Sequence, residues 1–517
     1  MENKTEIEIT KNVKCSQVFT ESCAEYVLPD YNGDVRKILH TSAEIRPSGK
    51  FAVGDEVEFS GIVVYEVVYL DEENKLTSVS FSSDYDYSVK CNGENYRDSF
   101  AESAVSNYSL RLIGPRKISA KASVVGNVRI EESESLSAVG DVFEGDDMPE
   151  MMSEFIRVRR SYTSELCERE YAESVARLEG AIADEVSVVS AIADVIIDEA
   201  KLCDGGVSLR GELNLCAVIK NGDAPAYQRE KIIPIEETVP FALASDTMHF
   251  VPEVTVSSLV TNINAAEFGT EIVLSVVCEM SVVGETNEEC GVISDAYLKS
   301  CAVDNRYESL TYSEFCGVAS SKESENGVIP RAEIEAENVR EVLFLKAVPK
   351  LDAPVIDDGR IVVSGELKYS GIASVTDGEG KLGYVPLKFA LPFERSLSAN
   401  TTEKTDCEVR VKAHTASATF DADKLYATCL LEITSRICEE KQIKRLASSV
   451  GVPDTDEVSN SSRIVVYYPE PDESLFAVAK KYRTTVAKIA DDNSLDARTV
   501  SDFDGKHSVG VKKLLIY

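Results

Sequence analysis

The chain has no tryptophan, only four histidines and only six methionines in 517 residues. His40, His249, His414 and His507 stand far apart, and none lies at ligand spacing from another histidine or from a cysteine, which argues against a zinc centre. None of the 13 cysteines forms a Cys-x-x-Cys pair. A Gly-x-x-x-x-Gly-Lys-Ser/Thr phosphate loop is missing, as is a Gly-x-Ser-x-Gly elbow, so two common enzyme signatures are absent. No apolar run approaches the roughly 18 residues of a membrane-spanning helix. Met1 to Glu6 lacks the apolar core of a signal peptide, so retention in the cytosol is the expectation. In that reducing compartment the cysteines are expected to act mostly as small buried residues, Cys216 and Cys429 inside strand-like runs among them. Positive charge is scarce as well. The net charge of −35 leaves no overall field for nucleic acid or an anionic membrane.

What the chain has instead is a stretch written three times. The copies are Val57 to Tyr65, Val207 to Leu215 and Ile361 to Tyr369. Counting by two places Val57, Phe59, Gly61, Val63 and Tyr65 on one face, and the other two copies repeat the pattern around Gly211 and Gly365. Such alternation predicts a strand buried on one side, with Tyr65 and Tyr369 packing inward. A glycine at the centre of the buried face predicts a bulge or a close backbone approach. Polar turns follow each copy, at Asp71-Glu72-Glu73-Asn74, Asn221-Gly222-Asp223 and Asp377-Gly378-Glu379-Gly380. A later strand returns near Ile118, Ile272 and Leu425. Copies about 150 residues apart imply one domain each.

Gly378-Glu379-Gly380-Lys381-Leu382-Gly383 matches a dinucleotide-binding fingerprint. That chemistry needs a helix N-terminus after the glycines, whereas Tyr384 to Phe389 reads as a strand, so a hairpin turn is the reading. No catalytic residue, metal ligand or cofactor is assigned. Arg116, Lys117 and Lys121 have two open readings, a site for an acidic partner or alternating residues on the exposed side of a strand.

Taken in order, the chain divides into modules at 1–135, 154–316 and 331–449, with linkers at 131–153, 317–330 and 451–462, and a C-terminal unit at 463–517. Ser164 to Leu178 is rich in Glu, Ala and Arg and reads as a short helix. From Arg463 onward nine Lys/Arg meet eight Asp/Glu, a net of +1, which leaves −36 for the rest. The tail is therefore a different kind of unit. Ile464 to Tyr468 reads as a strand. A helix follows, capped by Asp472 or Ser474, with Leu475, Val478, Ala479 and Tyr482 on one face. Thr484-Thr485 opens a second helix, and Val511 to Ile516 closes as a strand. The predicted fold class is mostly β and multidomain, with three repeated antiparallel modules plus a small βααβ unit.

On Val465-Val466, Ser474 to Tyr482, Thr484-Thr485-Val486, Asn493 and Gly510 before Lys513 to Ile516, the tail resembles a LysM domain. Typical members hold N-acetylglucosamine glycans in a groove. The resemblance places that groove at Asp472, Glu473, Ser474, Asn493, Ser494 and Leu495. The family's usual Gly-Asp stands here as Asp472-Glu473, which adds a side chain where backbone meets sugar. On Pro29-Asp30 through Leu39, the Gly61 strand and Arg116 to Ala122, the first module resembles the SPOCS domain of clostridial sporulation proteins, and the second and third modules lack the last of these motifs. Together the resemblances imply a non-enzymatic scaffold of the spore coat. It would be made in the mother cell, sit on the forespore surface and contact a SpoIVA-like coat ATPase through the LysM unit. The alternative is a cell-wall protein that binds peptidoglycan.

Overall fold

In the computed structural model the chain is mostly β, arranged as several separate antiparallel sheets. The structure describes residues 7–136, 149–334, 339–376, 380–399, 401–402, 405–421, 423–452, 464–470, 473–495 and 513–517. The first six strands are β1 (Ile7–Val27), β2 (Val35–Val53), β3 (Glu56–Asp71), β4 (Leu76–Lys90), β5 (Tyr96–Gly114) and β6 (Lys117–Leu136). They form two sheets, ordered β1-β6-β5 and β2-β3-β4. The next seven are β7 (Glu150–Thr163), β8 (Cys167–Glu179), β9 (Val186–Cys203), β10 (Gly206–Asn221), β11 (Tyr227–Pro240), β12 (His249–Ala266) and β13 (Gly269–Tyr297). Here β10 lies between β9 and β11, while β7, β8 and β12 all pair with β13. The third set is β14 (Ala302–Pro330), β15 (Val339–Leu351), β16 (Val355–Asp357), β17 (Arg360–Thr376), β18 (Leu382–Ser398), β19 (Thr405–Asp421) and β20 (Lys424–Val452). In it β17 lies between β15 and β18, and β20 between β14 and β19.

The three sequence copies are β3, β10 and β17, each the middle strand of its sheet. Their alternate residues are the core. Val57, Val63 and Tyr65, Val207, Leu209 and Leu213, and Ile361, Val363 and Leu367 are all fully or almost fully buried. They pack against the inward residues of β6, β13 and β20 respectively, among them Val124, Ile272 and Cys429. Sheet on sheet with a shared apolar layer follows directly from strands that are apolar on one side. Tyr65 donates to the Ser22 carbonyl at 3.1 Å, and Tyr369 points at the Cys429 thiol at 3.4 Å, so both tyrosines pack inward. The central glycines mark close backbone approaches. A Cβ on Gly211 would collide with the Ile196 carbonyl of β9, one on Gly365 with the Lys350 carbonyl of β15, and one on Gly61 with the Arg46 carbonyl of β2.

The fingerprint-like string joins β17 to β18, whose antiparallel ladder begins at Thr376–Leu382, so a hairpin replaces the helix that nucleotide binding needs. Residues 377–379 lie outside the described residues.

Four expectations are corrected, the last two in part. The segment 317–330 is not a linker. It is the second half of β14, laddered to β20 from Ala302–Val452 to Pro330–Lys424. Its serines and glutamates hid the strand because one face is solvated, while Ala319 and Ile329 point inward. The break expected between 316 and 331 therefore falls inside a strand that belongs with the third sheet pair. Ser164 to Leu178 is not a helix. From Cys167 it is β8, whose backbone is satisfied by β13, and that tertiary ladder overrides local propensity. Of the linker expected at 131–153, β6 and β7 claim all but 137–149. Of that at 451–462, β20 extends to Val452 and the remainder lies outside the described residues.

The sheet pairs are not beads on a string. Leu39, Val68 and Leu76 from the first set, Val189 and Val218 from the second, and Leu343, Phe344 and Ile372 from the third form one buried cluster. The C-terminal elements are β21 (Val465–Tyr467), α1 (Leu475–Tyr482), α2 (Val486–Asp492) and β22 (Leu514–Ile516), with β21 and β22 antiparallel.

Candidate interaction sites

Two places bring functional groups together, the C-terminal unit and the junction of the three sheet pairs. In the C-terminal unit Ser474 caps α1, its Oγ accepting from the Ala477 amide at 3.1 Å. Both Glu473 oxygens accept from the Tyr467 hydroxyl, at 2.8 and 2.7 Å, and Oε2 also accepts from the Glu470 amide. Asn493 uses its whole amide. Its Nδ2 donates to the Ile489 and Leu515 carbonyls at 2.8 and 2.7 Å, and its Oδ1 accepts from the Leu515 amide at 2.6 Å. Ser494 is exposed, with φ at 52°, and Leu495 packs on the unit's core. Asp472 and Gly510 lie outside the described residues. Glu473 is thus tied to β21 and Asn493 to β22, facing partners of one short ladder. The predicted groove residues share a region, but the polar atoms of Glu473 and Asn493 are already engaged inside the unit.

Sequence reasoning missed the face of α1 that is docked. Tyr297, at the end of β13, donates to the Thr484 carbonyl at 2.6 Å and stacks edge-on against Phe476. Lys480 donates to both Asp295 oxygens at 2.7 and 2.6 Å, and Tyr307 of β14 donates to Asp295 at 2.8 Å. Burial works against the Asp295 charge, but the Lys480 and Tyr307 hydrogen bonds hold its carboxyl below the usual range. Phe476 and Lys480 sit one helical turn apart, the only sequence signal of a second contacting face.

At the junction, buried charges cross from one sheet pair to another. Arg159 of β7 reaches Glu285 of β13 at 2.7 Å and Glu131 of β6 at 3.2 Å. Arg436 of β20 reaches Glu285 at 3.0 Å and Glu408 of β19 at 2.6 Å, while Arg129 of β6 reaches Glu408 at 2.9 Å. Glu285 is wholly buried. Burial, with Glu285 and Asp98 nearby, pushes the Glu131 carboxyl up to about 8. His414 of β19 is held between Asp194 of β9 at 2.8 Å and Glu432 of β20 at 3.0 Å. Burial opposes its charge, but those two hydrogen bonds prevail and raise it to about 9. His40 of β2 is the opposite case. It is buried against Phe344 with neither ring nitrogen hydrogen-bonded, and burial together with Lys346 and Lys388 pushes it down to about 3.

A cavity of about 810 Å³ opens at this junction, lined by β2, β3, β4, β9, β10, β11, β12, β15, β19 and β20. Lys346 of β15 anchors one wall, donating to Glu44 at 2.6 Å and Glu66 at 3.4 Å, and Ser190 of β9 donates to Glu66 at 2.8 Å. Burial would lower the Lys346 ammonium, but Glu44 and Glu66 raise it, so it stays charged. Cys216 lines the cavity as a thiol, pushed up to about 12 by burial and Glu230. Such a thiol is a poor nucleophile near neutral pH.

Arg116 clamps the turn after β1, donating to the Pro29 carbonyl at 2.7 Å and to Asp34 at 2.9 Å. Lys117 pairs with Glu25 at 2.6 Å and Lys121 with Glu21 at 2.8 Å, so these cations serve the sheet that carries them. No group of three His, Cys, Asp or Glu side chains among the described residues is arranged to hold a metal ion. Neither a family model, nor a curated protein, nor a solved structure matches this chain.

Proposed function

We propose that this chain is a non-enzymatic assembly scaffold of the spore coat. In this reading it has three SPOCS-like modules and a LysM-like βααβ unit that binds a protein partner, a SpoIVA-like coat ATPase. The observation that carries the choice of protein over glycan is the internal use of Glu473 and Asn493. A sugar is recognised by polar groups free to hydrogen-bond it, and these side chains already spend theirs on Tyr467, Ile489 and Leu515. The perturbed titratable groups support the same reading. Arg129, Arg159 and Arg436 are met by Glu285 and Glu408 across strands of different sheets, which is structural work.

The test is calorimetry on the whole chain, titrated separately with a SpoIVA-like protein and with chitohexaose. Saturable binding of the protein alone is the expected result. Binding of the sugar alone overturns the scaffold reading and moves the chain to the peptidoglycan-binding class.

A further inference from the structure

The cavity at the junction is lined in an unusual way. A sheet seen face-on presents alternate residues, because successive side chains point to opposite sides. Here seven consecutive residues of β9, 188–194, line the space, as do five consecutive residues of β15, 344–348. Consecutive lining means that both strands are met along their edges. The topology agrees. Among the described strands β9 is hydrogen-bonded only to β10, and β15 only to β17, so each is the outer strand of its sheet. The open stretch of β9 is regular. Its ladder with β10 shifts register at Val218/Ile219 and at Arg210/Gly211, and 190–197 runs unbroken between the two shifts. The edge is closed at the end of this stretch, where Lys322 of β14 donates to the Ile197 carbonyl at 2.8 Å.

An open strand edge carries a row of unpaired amides and carbonyls, a template for another strand. Edges are normally blunted by charge, proline or a covering element. This one is instead withdrawn into a cavity large enough to admit chain. The charge of the cavity selects what enters. Of its cations, Lys346 is matched by Glu44 and Glu66 and Lys231 by Glu173 at 2.7 Å, while Arg46 donates to the Ser257 carbonyl at 3.4 Å on the β12 side. Glu212 and Glu230 stand exposed at the β10 and β11 wall, and among the described residues neither is in an ion pair, while Leu259, Val256 and Leu345 give the wall apolar ground.

We propose that the junction cavity is a binding site for an extended polypeptide segment of alternating apolar and basic residues, which adds as a strand to the open edge of β9. Backbone hydrogen bonds to β9 supply affinity. The basic residues face Glu212 and Glu230, and the apolar ones face the opposite wall. The site is separate from the C-terminal unit, so its occupancy is independent of what that unit binds.

The experiment measures fluorescence anisotropy of a labelled Lys-Val-Lys-Val-Lys-Val peptide on the whole chain. A first pair of comparison peptides carries N-methyl groups on alternate amides, one peptide for each strand edge. Saturable binding is expected, weakened about tenfold or more by methylation of one edge and little changed by methylation of the other. Ala193→Trp, which fills the cavity from β9, is expected to weaken binding by a similar factor with the unfolding temperature retained. Ala347→Trp fills it from β15 and serves if the first variant does not fold. The proposal is overturned if no binding is seen, if both methylated peptides bind alike, or if binding survives the filled cavity. Either of the last two places the peptide on the outer acidic surface.

Discussion

A single methyl group distinguishes alanine from glycine, and at Gly211 that methyl has no room, since the Ile196 carbonyl occupies its place. Gly211→Ala is expected to cost roughly 1–3 kcal/mol, read as a fall in the denaturation midpoint at unchanged slope. His414 makes stability depend on pH. Its folded value, about 9, lies above the usual histidine value of 6.5, so the folded state binds the proton more tightly. The stabilisation is complete below about 6.5 and is lost as pH rises towards 9. The stability gap between the native chain and His414→Gln should therefore be widest near pH 6 and close by about pH 9. An unchanged gap across that range would mean that the Asp194–His414–Glu432 bridge is not charged. His40 has the reverse sign, since its folded value of about 3 lies below 6.5. Its contribution is present above pH 6.5 and fades as pH falls towards 3.

At the scale of elements, the serine- and glutamate-rich stretch 317–330 is the sharpest case, because its composition signals a loop and its partner makes it a strand. β14 is laddered along this whole stretch, and Lys322 is held by Asp198 at 2.8 Å. Trypsin should cleave after Lys322 no faster than after lysines in the central strands, as peptide mapping of a limited digest would reveal. Rapid cleavage there would restore the linker. The docking of α1 is a second element-scale matter. Tyr297→Phe removes the donor to the buried Thr484 carbonyl. A loss of roughly 1–3 kcal/mol for the unsatisfied group should appear as faster amide exchange in α1 and α2, with the strands of β13 unchanged.

For the whole molecule, the charges at the junction decide whether three sheet pairs behave as three domains or as one. Arg436 is nearly buried and reaches Glu285 in one set and Glu408 in its own. Arg436→Met leaves the wholly buried Glu285 with one cation fewer and is expected to cost about 3–5 kcal/mol. The native chain should unfold in calorimetry with the three sheet pairs in one transition, because Lys346 ties the third pair to the first, and His414 and Arg436 tie it to the second. Arg436→Met should split or broaden that transition. Three separate transitions in the native chain would show that the junction does not couple the pairs.

Much of the strand framework was legible in residue order alone. The alternation around Gly61, Gly211 and Gly365 picked out the buried faces of β3, β10 and β17, since one-sided burial writes itself at a period of two. The turns after the first two copies and the helices α1 and α2 were legible for the same local reason, carried by turn-forming residues and caps. Only the tertiary structure decided the rest. Nothing local marks β14 or β8 as strands, because their ladders are supplied by β20 and β13, far away in sequence. That the polar atoms of Glu473 and Asn493 are engaged inside the C-terminal unit was not legible, since a side chain's hydrogen-bond partners depend on what folds back beside it. Arg159, Glu285, Lys346 and His414 carried no usable sequence signal in a chain with 89 acidic residues. Their burial exists only where three sheet pairs meet.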